Sequence, residues 1–294
     1  MLMNINFDHV SFTRKQKTIL HDISFQLEGP KIVGLLGRNG AGKTTLLSIL
    51  TAFQKASSGT VTLNNENTFE NEHAVEQMIF VRDQNFEYET EKVSDYLETY
   101  AKFRPNFDHD YAKRLLKQFR VSNDLEVAKL SKGMASAMQV VIGLASRAPV
   151  TIFDEAYLGM DAPARDLFYK EVLNDFMEHP RLIILSTHLI SEMETLFEEV
   201  LIIKNGRLFT HEDKEVFQQR GYRITGEEQS VNEFSKDKTI VATQQLGPTK
   251  SVMIYGSFTD DDQRCLTDLN LERSFVSLQD LFIHLTEEEN EDDE

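Results

Sequence analysis

One run of eight residues constrains this chain more than any other: Gly37-Arg38-Asn39-Gly40-Ala41-Gly42-Lys43-Thr44. It fits G-x-x-x-x-G-K-[ST], the Walker A phosphate-binding loop. The run before it, Lys31-Ile32-Val33-Gly34-Leu35-Leu36, is short, apolar and β-branched enough for a buried strand. The run after it, Thr45-Leu46-Leu47-Ser48-Ile49-Leu50, has helical composition. Glycines at 37, 40 and 42 let the backbone approach phosphate oxygens and turn successive N–H groups inward. The helix N-terminus adds its positive dipole end. Lys43 is placed to reach the β- and γ-phosphates, and the Thr44 hydroxyl to ligate Mg²⁺. A glycine turn that binds nothing would not need strand, Lys-Thr pair and helix together.

With 294 residues the chain can form one large domain plus a small one. Its residues are 40% hydrophobic, yet no apolar run approaches the length needed to cross a bilayer. The N-terminal residues lack a basic region followed by an apolar stretch, so no signal peptide is expected. A single cysteine, Cys265, fits a reducing cytosol. The formal net charge of −17 argues against nucleic acid or anionic lipid as the main partner. A soluble cytosolic protein is expected.

Residues 4–12 and 19–27 read as two strands around the polar turn 13–17, and Gly29-Pro30 leads into the strand of the loop. Phe12 either stacks on an adenine ring or packs under the sheet. Residues 59–63 and 77–82 read as strands with a loop at 64–73 between them. From 93 to 143 the pattern turns helical. Val93, Tyr96, Leu97, Tyr100 and Phe103 form one apolar stripe, and Tyr111, Leu115, Leu116 and Phe119 a second, which Asp108 could cap. Strand character returns at 150–153 and 181–186, a helix spans 161–178, and a hairpin turns at Asn205-Gly206. This alternation indicates an α/β domain with a mostly parallel sheet. Beyond 216, strands at 222–225, 239–243 and 252–255 and a helix at 277–285 suggest a small α+β extension. Residues 287–294 form an acidic tail, read as a solvated end.

Asp154 follows an apolar strand, the Walker B position, where a carboxylate can hold Mg²⁺ through its water shell. Glu155 beside it is placed to polarise an attacking water as general base. Gln84, at a strand end, could contact Mg²⁺ or that water, and His188, at another, could touch the γ-phosphate.

Leu130-Ser131-Lys132-Gly133-Met134 completes the set. Here the chain resembles the ATP-binding-cassette family, whose signature is close to L-S-G-G-Q; the resemblance covers roughly residues 1–215. It implies a P-loop NTPase fold of class α/β: a mostly parallel sheet with an antiparallel β subdomain and a helical subdomain at about 85–148, to which the small C-terminal α+β domain read from the residue pattern at 216–286 is appended. The cofactors it implies are ATP and Mg²⁺. It implies adenine stacking by Phe12 and phosphate contacts from Gly37, Arg38, Asn39, Gly40, Ala41, Gly42, Lys43, Thr44 and Thr45. It implies Mg²⁺ contacts from Thr44, Gln84 and Asp154, and catalytic roles for Glu155, His188 and Gln84. Two cassettes are expected to close head to tail, with Ser131 and the Gly133 N–H reaching the other chain's γ-phosphate and Asp161 in the D-loop. The departures are Lys132 and Met134 in the signature, Ala135-Ser136-Ala137 after it, and Ala156-Tyr157 where Pro-Thr or Pro-Ser is usual.

A single cassette without a membrane span is similar to the separately encoded ATPase subunit of a transporter, peripheral on the inner face of the membrane through a permease subunit. Lys132 and the close Ser277-Leu278-Gln279-Asp280-Leu281-Phe282, with Thr286, look like exporter ATPases, whereas importers often carry a β-barrel-like extension. Export of a drug, lipid or peptide is therefore expected, by a homodimer or a heterodimer with a second cassette ATPase. The permease contact is expected beside Gln84, with Phe86, Tyr88 and Tyr100 as aromatic anchors unless they pack internally. The alternative is a soluble ATP-dependent regulatory or immunity module of the same family, not coupled to transport.

Overall fold

The computed structural model describes residues 3–287. The chain opens with β1 (Asn4–Arg14) and β2 (Lys17–Glu28), paired antiparallel, with Ile5, Phe7, Val10, Leu20, Ile23, Phe25 and Leu27 directed into the core. Left-handed residues His9 and Asp22 accompany breaks in register between Phe7 and Val10. β3 (Lys31–Leu36) then delivers the glycine loop to α1 (Lys43–Leu50). β4 (Ser58–Leu63) returns to pair with β1, and the stretch expected to be loop holds β5 (Glu66–Asn67) and α2 (Glu72–Glu76). Asn71 caps α2 by accepting from the Ala74 N–H, a signal too short to stand out in a polar run. These strands form a four-stranded sheet in the order β2-β1-β4-β5.

β6 (Met78–Arg82) leads to the helices α3 (Val93–Lys102), α4 (His109–Gln118) and α5 (Lys132–Ala145). Asp108 does cap α4, accepting from the Tyr111 N–H at 2.9 Å. The stripe on α3 is only partly core. Val93 and Leu97 are buried, but Phe103, at the helix end, is 71% exposed. β7 (Val150–Asp154), α6 (Ala162–Glu178) and β8 (Leu182–Thr187) follow, then α7 (Ile190–Met193), β9 (Glu199–Lys204) and β10 (Arg207–Asp213). The second sheet has the order β10-β9-β3-β8-β7-β6, parallel from β9 through β6. Every residue of β7 and β8 is buried, which is why both read as unbroken apolar runs and not as alternations.

The described chain falls into two compact units: up to His188 together with 195–211, and 189–194 together with the residues from Glu212 onward. The boundary expected after 215 lies inside α8 (Lys214–Gln219). The second unit continues with β11 (Gly221–Glu227), α9 (Glu228–Ser235), β12 (Ile240–Leu246), β13 (Thr249–Tyr255), α10 (Asp260–Asp268), β14 (Glu272–Phe275) and α11 (Leu278–Thr286). Its sheet is antiparallel in the order β12-β13-β11-β14. The succession β-α-β-β-α-β in this order is the split βαβ, or ferredoxin-like, arrangement. Tyr222, Ile224, Val231, Phe234, Val252, Ile254 and Leu266 form its core. Residues 288–294 of the expected acidic tail lie outside the described residues. Among the described residues no helix is long and apolar enough to cross a membrane.

Candidate functional site

The carboxyl ends of β3, β7 and β8 bring the glycine loop, Asp154, Glu155 and His188 together. Gly40 and Gly42 sit at φ 83° and 108°, left-handed conformations that only glycine adopts without strain. A methyl group on Gly42 would also meet Leu20 Cδ2 at 2.7 Å. The first turn of α1 has no side-chain cap at Gly42, so its N–H groups remain available to an anion. Lys43 is buried and donates to the Gly37 carbonyl at 2.7 Å. Its Nζ lies 3.8 Å from Glu155 Oε1. Burial pushes the Lys43 ammonium below the usual lysine range, against the pull of Glu155 and Asp154.

Thr44 donates its hydroxyl to Asp154 Oδ2 at 2.7 Å, joining the loop to the end of β7. Among the described residues, Oδ1 of Asp154 is buried without a hydrogen-bond partner. A buried carboxylate oxygen left in this state costs about 1–3 kcal/mol or more. A hydroxyl and a carboxylate with an open oxygen make the hard oxygen donor set that Mg²⁺ takes, with water and phosphate completing the shell. The residues therefore fit the ion.

Glu155 has a left-handed backbone, φ 49°, held by its N–H donating to the Ser186 carbonyl at 3.1 Å. This conformation is costly for a residue with a side chain. It puts Oε2 3.2 Å from His188 Nδ1 at the end of β8. Over the loop lies a cavity of about 770 Å³ that Asn39, Gly40, Gly42, Lys43, Thr44, Thr45 and Glu155 help to line. Gln84 does not line this cavity; it shares a smaller one with Glu155, Ser136 and Gln139.

Phe12 is not in the wall of the cavity over the loop. It lies opposite Leu20 in the β1–β2 register and packs against the core. The wall is built by Lys17, Thr18, Ile19 and His21 of β2 and by the Asn205-Gly206 turn. Sequence reasoning missed these residues. Asn205-Gly206 signalled a tight turn, and nothing in it shows that the His21 N–H donates to the Gly206 carbonyl at 2.8 Å.

Ser131 and Gly133 stand elsewhere and do not line that cavity. Ser131 caps α5 by accepting from the Met134 N–H at 3.3 Å. A Cβ on Gly133 would lie 2.6 Å from the Gly159 carbonyl oxygen, and Lys132 covers Gly159 itself. Asp161 caps α6, accepting from the Ala164 N–H at 3.0 Å. Phe86 packs edge-on to Tyr96, which stacks obliquely on Tyr100, so these rings are engaged internally while Tyr88 is 87% exposed.

A larger cavity, about 1050 Å³, opens at the amino ends of β3, β7 and β8. Its arginines are already matched. Arg147 pairs with Asp108 and Asp175, and Arg181 donates to Asp175 at 2.6 Å and to Thr151 at 3.0 Å. Burial pushes Arg181 down to about 10. The cluster reads as a structural tie between helix and sheet.

The ABC transporter family model matches residues 20–158. An uncharacterised ABC transporter ATP-binding protein of Methanocaldococcus jannaschii is 30% identical over 196 residues, covering 65% of this chain and 70% of the relative. The energy-coupling factor transporter ATP-binding protein EcfA2 of Staphylococcus aureus is 26% identical over 296 residues, covering 94% and 97%. Among solved structures, an ATP-binding subunit of an ABC transporter superposes with a TM-score of 0.65 at 23% identity, over 73% of this chain and 91% of that one.

Proposed function

Because the chain belongs to the ABC transporter family and is an ATPase that uses ATP and Mg²⁺, we propose that it powers export through a separate membrane-spanning subunit. The observation that carries the assignment of its site is the Thr44–Asp154 pair with its open carboxylate oxygen, flanked by Lys43 and by Glu155 against His188.

The phosphates lie along residues 37–45, with Lys43 on the β- and γ-phosphates. Thr44 and Asp154, with Gln84 nearby, would hold Mg²⁺, which supplies charge neutralisation on the transferring phosphoryl group. Glu155 takes a proton from the attacking water. Water oxygen bonds to the γ-phosphorus as the bond to the bridging oxygen breaks, and ADP and phosphate leave. His188 donates to a γ-phosphate oxygen. The adenine is assigned to the β2 wall at Ile19 and His21, which line the cavity over the loop where Phe12 does not. The separation of Ser131 and Gly133 from the loop cavity supports a site completed by a second cassette, homo- or heteromeric, with Asp161 beside the seam.

In favour of export, the second unit is an open four-stranded sheet and not the β-barrel-like extension that importers of small solutes often carry. The chain would then sit in the cytoplasm against the membrane's inner face, with the groove lined by Gln84, Phe86 and Leu130 meeting the permease. The test is to co-purify the membrane subunit from native cells and reconstitute the pair in vesicles. ATP-driven movement away from the cassette side supports export. Movement toward it, or no membrane subunit recovered with the chain, overturns the proposal.

A further inference from the structure

The Ala156-Tyr157 pair departs from the family pattern, and the tyrosine occupies a specific place. Tyr157 is 2% exposed, just past Glu155 on the turn that leaves β7. Its ring lies 5.8 Å from the His188 ring. Thr187 donates its hydroxyl to the Tyr157 oxygen at 2.9 Å, and the His188 backbone N–H donates to the same oxygen at 3.2 Å. The oxygen also lies 3.1 Å from His188 Nδ1. A phenol oxygen accepts two hydrogen bonds and donates one. With these two donors on the oxygen, its own hydrogen is within reach of Nδ1.

Glu155 Oε2 stands 3.2 Å from that same nitrogen. The two neighbours make opposite demands. Glu155 can accept from Nδ1 only when that nitrogen carries a hydrogen, and Tyr157 can donate to it only when it is bare. An imidazole in the neutral state has one hydrogen to place, and the hydrogen bond at one nitrogen decides what the other nitrogen presents.

We propose that Tyr157 is a positioning residue for ATP hydrolysis: by donating to His188 Nδ1 it holds the imidazole with its hydrogen on Nε2. That hydrogen then faces the γ-phosphate. Glu155, with no hydrogen offered by Nδ1, is left to Lys43 and the attacking water. Thr187 and the His188 backbone keep the hydroxyl rotor pointed the right way. The inference rests on the roles given to Glu155 and His188 above.

The test uses the full-length chain and Tyr157→Phe, which keeps the ring and removes only the hydroxyl. Turnover is expected to fall about tenfold, the loss of one hydrogen bond's worth of orientation. KM for ATP should stay within about twofold, because Tyr157 does not line the cavity over the loop, where Lys43 and Thr44 are placed to hold the phosphates. Nitrogen-15 spectra of histidine-labelled protein should show His188 protonated at Nε2 in the parent and losing that preference in the variant. In a His188→Ala background, Tyr157→Phe should cost nothing further. Unchanged turnover in Tyr157→Phe, or an undiminished loss in the His188→Ala background, overturns the proposal. If Tyr157→Phe does not fold, the parent spectrum decides alone: a hydrogen on Nδ1 overturns it. Unchanged turnover in His188→Ala would instead overturn the role given to His188, so the two failures are separable.

Discussion

Replacing Gly133 by alanine tests the packing of the signature helix on the turn before α6. An ideal Cβ at 133 falls 2.6 Å from the Gly159 carbonyl oxygen and 3.4 Å from its carbon. Neither side can yield cheaply. Gly133 lies in the first turn of α5, and Gly159 holds φ 88° under the Lys132 side chain. Ser136 adds a hydrogen bond to the Leu158 carbonyl on the same turn. Relieving an overlap of backbone on a new methyl group costs about 1–3 kcal/mol in a packed site. For a unit of this size that is a fall of about 2–12 °C in melting temperature. Thermal unfolding by circular dichroism reads it directly. ATP affinity of the isolated chain should not change, because Gly133 does not line the loop cavity. ATP-dependent pairing of chains should weaken. A variant melting within about 1 °C of the parent would refute the contact, and one with weakened ATP affinity would refute its separation from the cavity.

Lys43→Ala should weaken ATP binding by about ten- to a hundredfold, the loss of a hydrogen bond from a charged donor, as calorimetry would show. Glu155→Gln should retain ATP and run as a dimer in Mg-ATP on size exclusion, and an added Ser131→Ala should weaken that dimer by about tenfold or more. If Glu155→Gln stays monomeric with ATP, with and without the membrane subunit, the partner is a different cassette. The Tyr111 N–H, and then Arg147, hold the Asp108 carboxyl below the usual carboxylate range, so its contribution to stability is fully present above the unfolded value and lost as pH falls through the lower folded one. Asp108→Asn should therefore flatten the acid limb of a stability-against-pH curve; an unchanged limb would contradict the assignment.

The parallel strands and the phosphate loop were legible because their signals are local. β3, β7 and β8 are continuous apolar runs, and the loop lies between a strand and a helix in sequence as in space. Asp154, Glu155 and His188 were legible because each closes such a run. The wall of the cavity was not. An aromatic near the loop is easy to see, but the strand registers, with breaks between Phe7 and Phe12, are not legible in the sequence. Phe12 lies outside the wall, and the opening is lined by Lys17, Ile19 and a turn nearly two hundred residues away in sequence. Tyr157 could be marked as a departure, but the sequence has no way to show that its hydroxyl meets Thr187 and His188. In the second unit, α9, α10 and β14 were missed for a different reason. α10 buries only Leu266 and carries three aspartates in its first turn, so its apolar stripe is too thin to announce a helix.

The seat of β3 between β8 and β9 has a consequence for synthesis on the ribosome. The strand that carries the phosphate loop is made early, yet both of its hydrogen-bonded neighbours are made more than a hundred residues later. A nascent chain that has emerged only as far as α6 has the loop's sequence but no strand on either flank of β3. Pairings this distant in sequence are slow and leave apolar strand edges open while they wait. Nucleotide binding should therefore arise late and abruptly, once Leu182–Thr187 has cleared the exit tunnel, and stalled chains released before that point should aggregate without retaining ATP.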